Sequence, residues 1–251
     1  MPVRLVSARM MKKLGNDDYI SHLSIDCVIF GYQDKELKVL ISKFKFGAGS
    51  WSLPGGYVLK TEGIDKAARR ILEERTGLKN IYLEQFRVFG DENRIVNSPY
   101  KATIKSELRK FDEHRFDSTA IDWLTSRFVC IGYYALVDIN KVNPQAGEFD
   151  EYLEWRSVKG IPEMIHDHGE ILTVALDALR QNLDQKLIGF NLLPETFTMR
   201  EVQELYEAVY NRPFVITNFQ KKILDLNVLE RLEKKYTGAA NKAPYLYRFK
   251  K

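Results

Sequence analysis

The chain has 251 residues, 45% of them apolar and 29% charged, with a net charge of +4; this is the mix of a soluble globular protein rather than a disordered one. Its longest apolar run, residues 128–137, is about half of the roughly 20 residues that span a bilayer, and no basic start leads into an apolar segment and cleavage site, so neither membrane insertion nor secretion is expected. The charge is unevenly divided: from Asn218 onward nine Lys/Arg face three acids, a net +6, which leaves −2 on residues 1–217 (29 basic, 31 acidic) and points to a polyanion partner for a small basic module.

Residues 1–21 read as an N-terminal arm, with Arg4, Arg9, Lys12 and Lys13 around a few apolar positions. Residues 23–32 are apolar and β-branched, and 37–44 repeat the signal after a turn holding Gln33, Asp34 and Lys35, the pattern of a β-hairpin. Residues 51–58 are extended and interrupted by Pro54, Gly55 and Gly56. Over 62–76, Ile64, Ala67, Ala68, Ile71 and Leu72 share one helical face, and Gly77 ends the run. Further strands are expected at 82–89, 128–139 and 152–158, and a helix over 169–183, capped by Asp167 or His168 with Glu170 placed as in a capping box. Cys27 and Cys130 each sit in an apolar run, as reduced core residues of a cytoplasmic protein do. Between two strands, residues 91–127 form a polar insertion far longer than the usual connection of about 4–6 residues, with helices expected at 102–111 and 121–123.

The segment from Gly55 to Leu78 resembles the Nudix box, whose signature is Gly, five residues, Glu, seven residues, Arg-Glu-apolar, any, Glu-Glu, any, Gly-apolar. Gly56, Glu62, Arg70, Leu72, Glu74, Gly77 and Leu78 match at the required spacing. The resemblance implies a Nudix-like α/β/α sandwich. In Nudix hydrolases three helix glutamates at i, i+3 and i+4 converge on Mg²⁺, which neutralises phosphate charge and activates water. Here those positions hold Ile71, Glu74 and Arg75. A hydrocarbon and a cation replace two ligands, and Glu73 is rotated about 100° from Glu74 and cannot stand in. The box is degenerate, so no catalytic residue, bound metal or cofactor is expected; Glu62, Arg70 and Glu74 then persist as a structural ion-pair set. His166, Asp167 and His168 suggest either metal chemistry or the cap of the last body helix. Asp26, flanked by Ile25 and Cys27 in an apolar strand, either grips a ligand hydroxyl or pairs with an internal donor.

The C-terminal part opens on a capping box, Thr198-Met199-Arg200-Glu201, followed by Val202, Leu205, Tyr206 and Val209 at helical spacing. Asn211-Arg212-Pro213 breaks that helix, and a second starts near Thr217 or Asn218 with Phe219, Ile223 and Leu226 inward. Strands at 229–237 and 245–249 complete a winged helix-turn-helix pattern. Its second helix suits the major groove: Asn218 and Gln220 match adenine edges, Lys221 and Lys222 match guanine or phosphate, and Lys242 at the wing tip reaches the backbone.

A Nudix body with a failed metal site, joined to such a module through residues 188–198, is similar to the Nudix-related transcriptional regulators. That resemblance implies an effector-sensing domain over 22–186, a DNA-binding winged helix over 187–251, and a homodimer on operator DNA. It implies as effector either an ADP-ribose-like metabolite or a pentose sugar. The wording of residues 24–31 and of the linker is closest to the sugar (arabinose) utilisation branch. The rival reading is a divergent Nudix hydrolase that cleaves a nucleoside diphosphate derivative with Mg²⁺, kept alive by Glu62 and Glu74. The insertion lies where a Nudix ligand mouth forms, and the wing carries one Lys where relatives have clusters.

Overall fold

A hairpin begins the fold. Strands β1 (Tyr19–Gln33) and β2 (Glu36–Phe44) are joined by Asp34 and Lys35, whose φ values of 54° and 61° are the left-handed pair that a two-residue type I′ connection requires. The computed structural model describes residues 18–46, 48–94, 98–111, 118–185, 188–235 and 243–250. Most of the expected arm, parts of the insertion and the wing tip with Lys242 lie outside the described residues. β1 starts at Tyr19, earlier than its apolar run, because Tyr19 pairs with Leu59 of β4 (Gly55–Leu59).

β1 is the axis of a seven-stranded sheet. It runs antiparallel to β2 and β4, and parallel to β6 (Val129–Val137), which in turn pairs with β5 (Tyr82–Phe89). β3 (Trp51–Ser52) and β7 (Asp150–Ser157) both pair with β2. Buried on both faces, β1 and β6 are near-continuous apolar runs rather than alternating ones. Ile25, Cys27 and Ile29 pack with Ala67, Ala68, Ile71 and Leu72 of α1 (Ile64–Thr76). Val28 and Phe30 face the other way, toward Ile171, Ala175, Leu179 and Leu183 of α4 (His168–Gln185). The sheet is thus layered between helices. Ile64, expected in the packed stripe, is 38% exposed: it is the first residue of α1, and the buried stripe begins one turn later at Ala67. Gly77, at φ 72°, closes α1 with its N–H on the Glu73 carbonyl.

The insertion folds back as α2 (Tyr100–Phe111) and α3 (Ser118–Leu124), which bury Ile104, Leu108, Ala120 and Ile121 against Phe46. After a 3₁₀ turn at Ile188–Leu192, the C-terminal module comprises β8 (Phe197–Thr198), α5 (Met199–Tyr210), α6 (Ile216–Asp225), β9 (Leu229–Lys234) and β10 (Tyr245–Phe249). Its small sheet has the order β8-β10-β9. Val202, Leu205, Tyr206, Phe219 and Ile223 join the same apolar cluster as α4 and Val28, so the two parts share one core. Leu226, expected inward, is 38% exposed: it is the C-cap residue, one step past the helix.

The capping box at the start of α5 is complete. Thr198 Oγ1 accepts from Glu201 N–H at 3.2 Å, and the Glu201 carboxylate accepts from Thr198 N–H at 2.6 Å. Thr198→Ala should cost about 1 kcal/mol, seen as a lower urea midpoint at unchanged slope.

Candidate ligand site and nucleic-acid interface

On the α1 face, the residues of the Nudix box are occupied with one another. Arg70 donates to Glu62 through Nε and, at 2.6 Å, through its second terminal nitrogen, which also reaches the Tyr57 carbonyl; the first terminal nitrogen holds Glu74 at 3.2 Å. Burial opposes ionisation of Glu62, but the Arg70 hydrogen bonds and the Leu59 N–H outweigh it and hold the carboxyl below its usual range. The ion-pair set expected of these three residues is therefore present. Ile71 is 1% exposed and packs on Gly56, where an added Cβ would fall 3.0 Å from it.

Arg75 takes the remaining position. Its guanidinium donates to the Gly55 carbonyl and to Asp150, both at 2.9 Å, and Asp150 also accepts from Gly147 N–H and Ser42 Oγ. A Cβ on Gly147 would overlap the guanidinium, so that glycine is what lets the cation in. Asp150 gave no sign in the sequence, because its role depends on a partner far along the chain. A Mg²⁺ site does not fit here: one ligand position is a buried hydrocarbon, one is a paired cation, and the surviving carboxylates face Arg70. Among the described residues no three His, Cys, Asp or Glu side chains are arranged to hold a metal.

The opposite face of β1 carries a buried polar nest. Asp26, 7% exposed, accepts from Cys130 Sγ at 2.8 Å and lies 3.5 Å from Arg94 and 3.9 Å from His168 Nε2. An added Cβ on Gly55 would meet Asp26 Oδ1 at 2.5 Å, so the bare backbone of β4 makes room for the carboxylate. Arg94, 8% exposed, donates to Asp167 and, at 3.0 Å, to the Phe128 carbonyl. The internal donor that Asp26 required is thus supplied by the insertion. Asp167 does not cap α4 with its side chain: Oδ2 accepts from Arg94, and Oδ1 is buried without a partner among the described residues. His168 Nδ1 accepts from Leu53 N–H at 2.9 Å, which anchors the start of α4 to β3 and its flank. Aromatic rings wall the nest: Tyr57 lies 4.9 Å from Trp123 and 5.4 Å from Phe128, and Trp123 lies 5.2 Å from Phe128. The indole N–H of Trp123 has no partner among the described residues.

In the winged module, α6 buries Phe219 and Ile223 and presents Asn218, Lys221 and Lys222 outward. Gln220 is half-buried, since 100° from Phe219 places it on the flank of the packed edge and not opposite it. Lys221, 200° from Phe219, is the outward pole. Part of the tail's positive charge is answered internally: Lys235 pairs with Glu201, and Arg248 with Glu230. Arg212 instead lies over the rings of Tyr210 and Phe214, in the turn that precedes α6, and Arg231 lies over Tyr245 in the wing. These arginines were not singled out by sequence, because neither belongs to the recognition helix.

Arg75→Ala should destabilise the protein by about 3–5 kcal/mol, since it strands the buried Asp150; Glu74→Gln, at a half-exposed pair, should cost about 1 kcal/mol or less. Chemical denaturation of the two variants checks this. A pH effect follows from His166. Burial, with His168 beside it, pushes its imidazole down to about 4, so the unfolded chain binds that proton more readily than the native state does. Its contribution to stability should be full above about pH 6.5 and be lost as pH falls toward 4. His166→Gln should flatten the pH 6.5–4.5 stretch of a stability–pH curve.

Residues 20–174 match the family model described as the NUDIX domain, and residues 189–249 match the one described as the NrtR DNA-binding winged helix domain. The ADPR-responsive transcriptional repressor NtrR of Acinetobacter baylyi is 26% identical over 240 residues, 92% of this chain and 84% of that protein. The crystal structure of Shewanella oneidensis NrtR superposes with a TM-score of 0.67 at 24% identity, over 92% of this chain and 94% of that one. A MutT/nudix family protein from Enterococcus faecalis gives a TM-score of 0.65 at 18% identity, over 98% and 92%. No described helix is long and apolar enough to cross a membrane. A degenerate Nudix helix, a mixed α/β body and a winged helix sharing its core account for both matches: the chain belongs to the NUDIX domain family and carries a C-terminal segment that matches the NrtR DNA-binding winged helix domain.

Proposed function

We propose that this protein is a cytoplasmic DNA-binding transcriptional regulator, active as a homodimer, whose Nudix body senses an ADP-ribose-like metabolite instead of hydrolysing one. The observation that carries the reading is Arg75: a guanidinium bridging Gly55 and Asp150 stands where hydrolysis needs a metal-binding carboxylate. Support for the DNA-binding half comes from the winged-helix match over residues 189–249 and from the outward Asn218 and Lys221. The name of the Acinetobacter relative supports ADP-ribose as effector and repression as the sign of control. The likeness in wording to the sugar-utilisation branch is not supported by these relatives, which are named for ADP-ribose response, for NrtR and for the MutT/nudix family, and none for a sugar. Glu62 and Glu74, the residues that favour a divergent hydrolase, are both engaged by Arg70.

Two measurements test this. Mg²⁺-dependent cleavage of ADP-ribose should be negligible; turnover in the usual range of about 1–10³ s⁻¹, abolished by Glu74→Gln, would favour the hydrolase. In a salt titration on operator and scrambled DNA, Lys221→Ala should lose about 1–3 kcal/mol on the operator. Arg212→Ala and Lys242→Ala should weaken both DNAs alike and lower the salt slope by about 0.9 for each phosphate no longer neutralised. Gln220→Ala should have the smaller effect expected of a flank residue. Unchanged binding for all four would mean that this helix and wing do not read DNA. A bound effector should shift operator affinity by about 5–150-fold.

A further inference from the structure

The first turn of α6 departs from ordinary helix construction. Val215 is its N-cap and makes no side-chain hydrogen bond to the helix, at a position where Ser, Thr, Asp or Asn would stabilise it. Val215 is 67% exposed, and Ile216, the first helical residue, is 52% exposed. Neither side chain belongs to the apolar cluster that holds α6 to the module, which uses Phe219 and Ile223.

Fraying does not account for this exposure, because the backbone is held on both sides of the pair. Phe214 N–H donates to Glu207 at 2.9 Å, and the Phe214 carbonyl accepts from Gln203 at 3.1 Å. The Phe214 ring packs against Tyr206, Tyr210 and Phe219. On the helical side, the Val215 carbonyl accepts from Phe219 N–H at 2.9 Å. Val and Ile are stiff at χ1, so a fixed backbone also fixes most of what their methyl groups can reach. Presented in this way, they lose little conformational freedom when a surface closes on them.

The surroundings name that surface. From Arg212 to Lys222 the chain has three cations and no acid, and Arg212 lies over the rings of Tyr210 and Phe214 at the entrance to α6. An apolar pair in a positive field suits a polyanion that carries an apolar group within reach of a helix. Duplex DNA has one: the C5-methyl of thymine, which stands on the floor of the major groove and is absent from the other bases. The leading residues of a recognition helix are the ones that meet base edges. We infer that Val215 and Ile216 read thymine methyl groups in the operator and so set part of its base preference. Asn218 and Lys221 act through hydrogen bonds; this pair acts by taking a methyl group out of water, and it therefore discriminates thymine from uracil as well as from cytosine.

This inference rests on the reading that the winged module binds operator DNA, and deoxyuridine separates the two. The full-length protein selects its preferred duplex from a random-sequence pool. Each thymine of that duplex is then replaced in turn by deoxyuridine, which keeps the hydrogen-bonding edges and removes only the methyl group. At one or more positions the wild type should lose about fourfold in affinity, the worth of burying one such group. With Val215→Ala and Ile216→Ala combined, thymine and uracil should be bound equally there. Leu224→Ala, about 12 Å further along the helix, should keep the wild-type preference. Val215→Ser gives a readout that a merely structural role would not: with a cap restored, its thermal midpoint should rise while its thymine preference falls. If uracil costs nothing at any position, or the double variant keeps the thymine preference, the inference fails and the DNA-binding reading stands. If the double variant keeps that preference but sediments as a smaller species, the pair is a contact between copies of the chain, which overturns the inference equally. If no duplex is selected, both fail.

Discussion

The guanidinium of Arg75 ties three parts of the chain together at one point: the end of α1, the first residue of β4 through the Gly55 carbonyl, and the start of β7 through Asp150. A divalent ion held by carboxylates would fill that space with exchangeable charge. A covalently attached cation fills it permanently, with the Gly147 backbone closed over it and Asp150 further fixed by Ser42. Once the cation is part of the polypeptide, the α1 face becomes an element of the core. Ile71 against Gly56 and Arg70 between Glu62 and Glu74 follow the same logic, because each answers locally a group that metal chemistry would have left open.

That arrangement leaves the two faces of β1 with different tasks. Alternation along the strand sends Ile25, Cys27 and Ile29 to the closed α1 side and Asp26 to the α4 side. The polar residues Asp26, Arg94 and Asp167 thus lie beside the helix that packs against the winged module. The shared apolar cluster, from Val28 through Leu179 to Val202 and Phe219, makes the connection between body and module a packed interior. Packed interiors respond to a displaced element by moving neighbours together, since they cannot absorb the change as free volume.

In the winged module, charge alone is a poor guide to the DNA face. Lys235 and Arg248 are held by acids of the same module, and Arg200 shares Glu204 with Lys35 of the β1–β2 hairpin. Arg212 and Arg231 rest on aromatic rings, which orient a guanidinium without neutralising it. The residues free to meet phosphate are therefore chosen by their neighbours.

The sequence by itself determined what depends on neighbours along the chain. The stripe at 67–72, the capping box at Thr198, the apolar runs of β1 and β6 and the loss of two Nudix carboxylates are all local patterns, and each reappears in three dimensions. The tertiary structure decided the contacts between distant segments. It gave Asp26 its partner in Arg94, gave Arg75 its anion in Asp150, turned Asp167 from a cap into an acceptor for Arg94, and moved Gln220 from the open face of α6 to its flank. Helical period and strand alternation say which way a side chain points, but only the folding of β1, β6, α4 and the insertion onto one another says what it meets there.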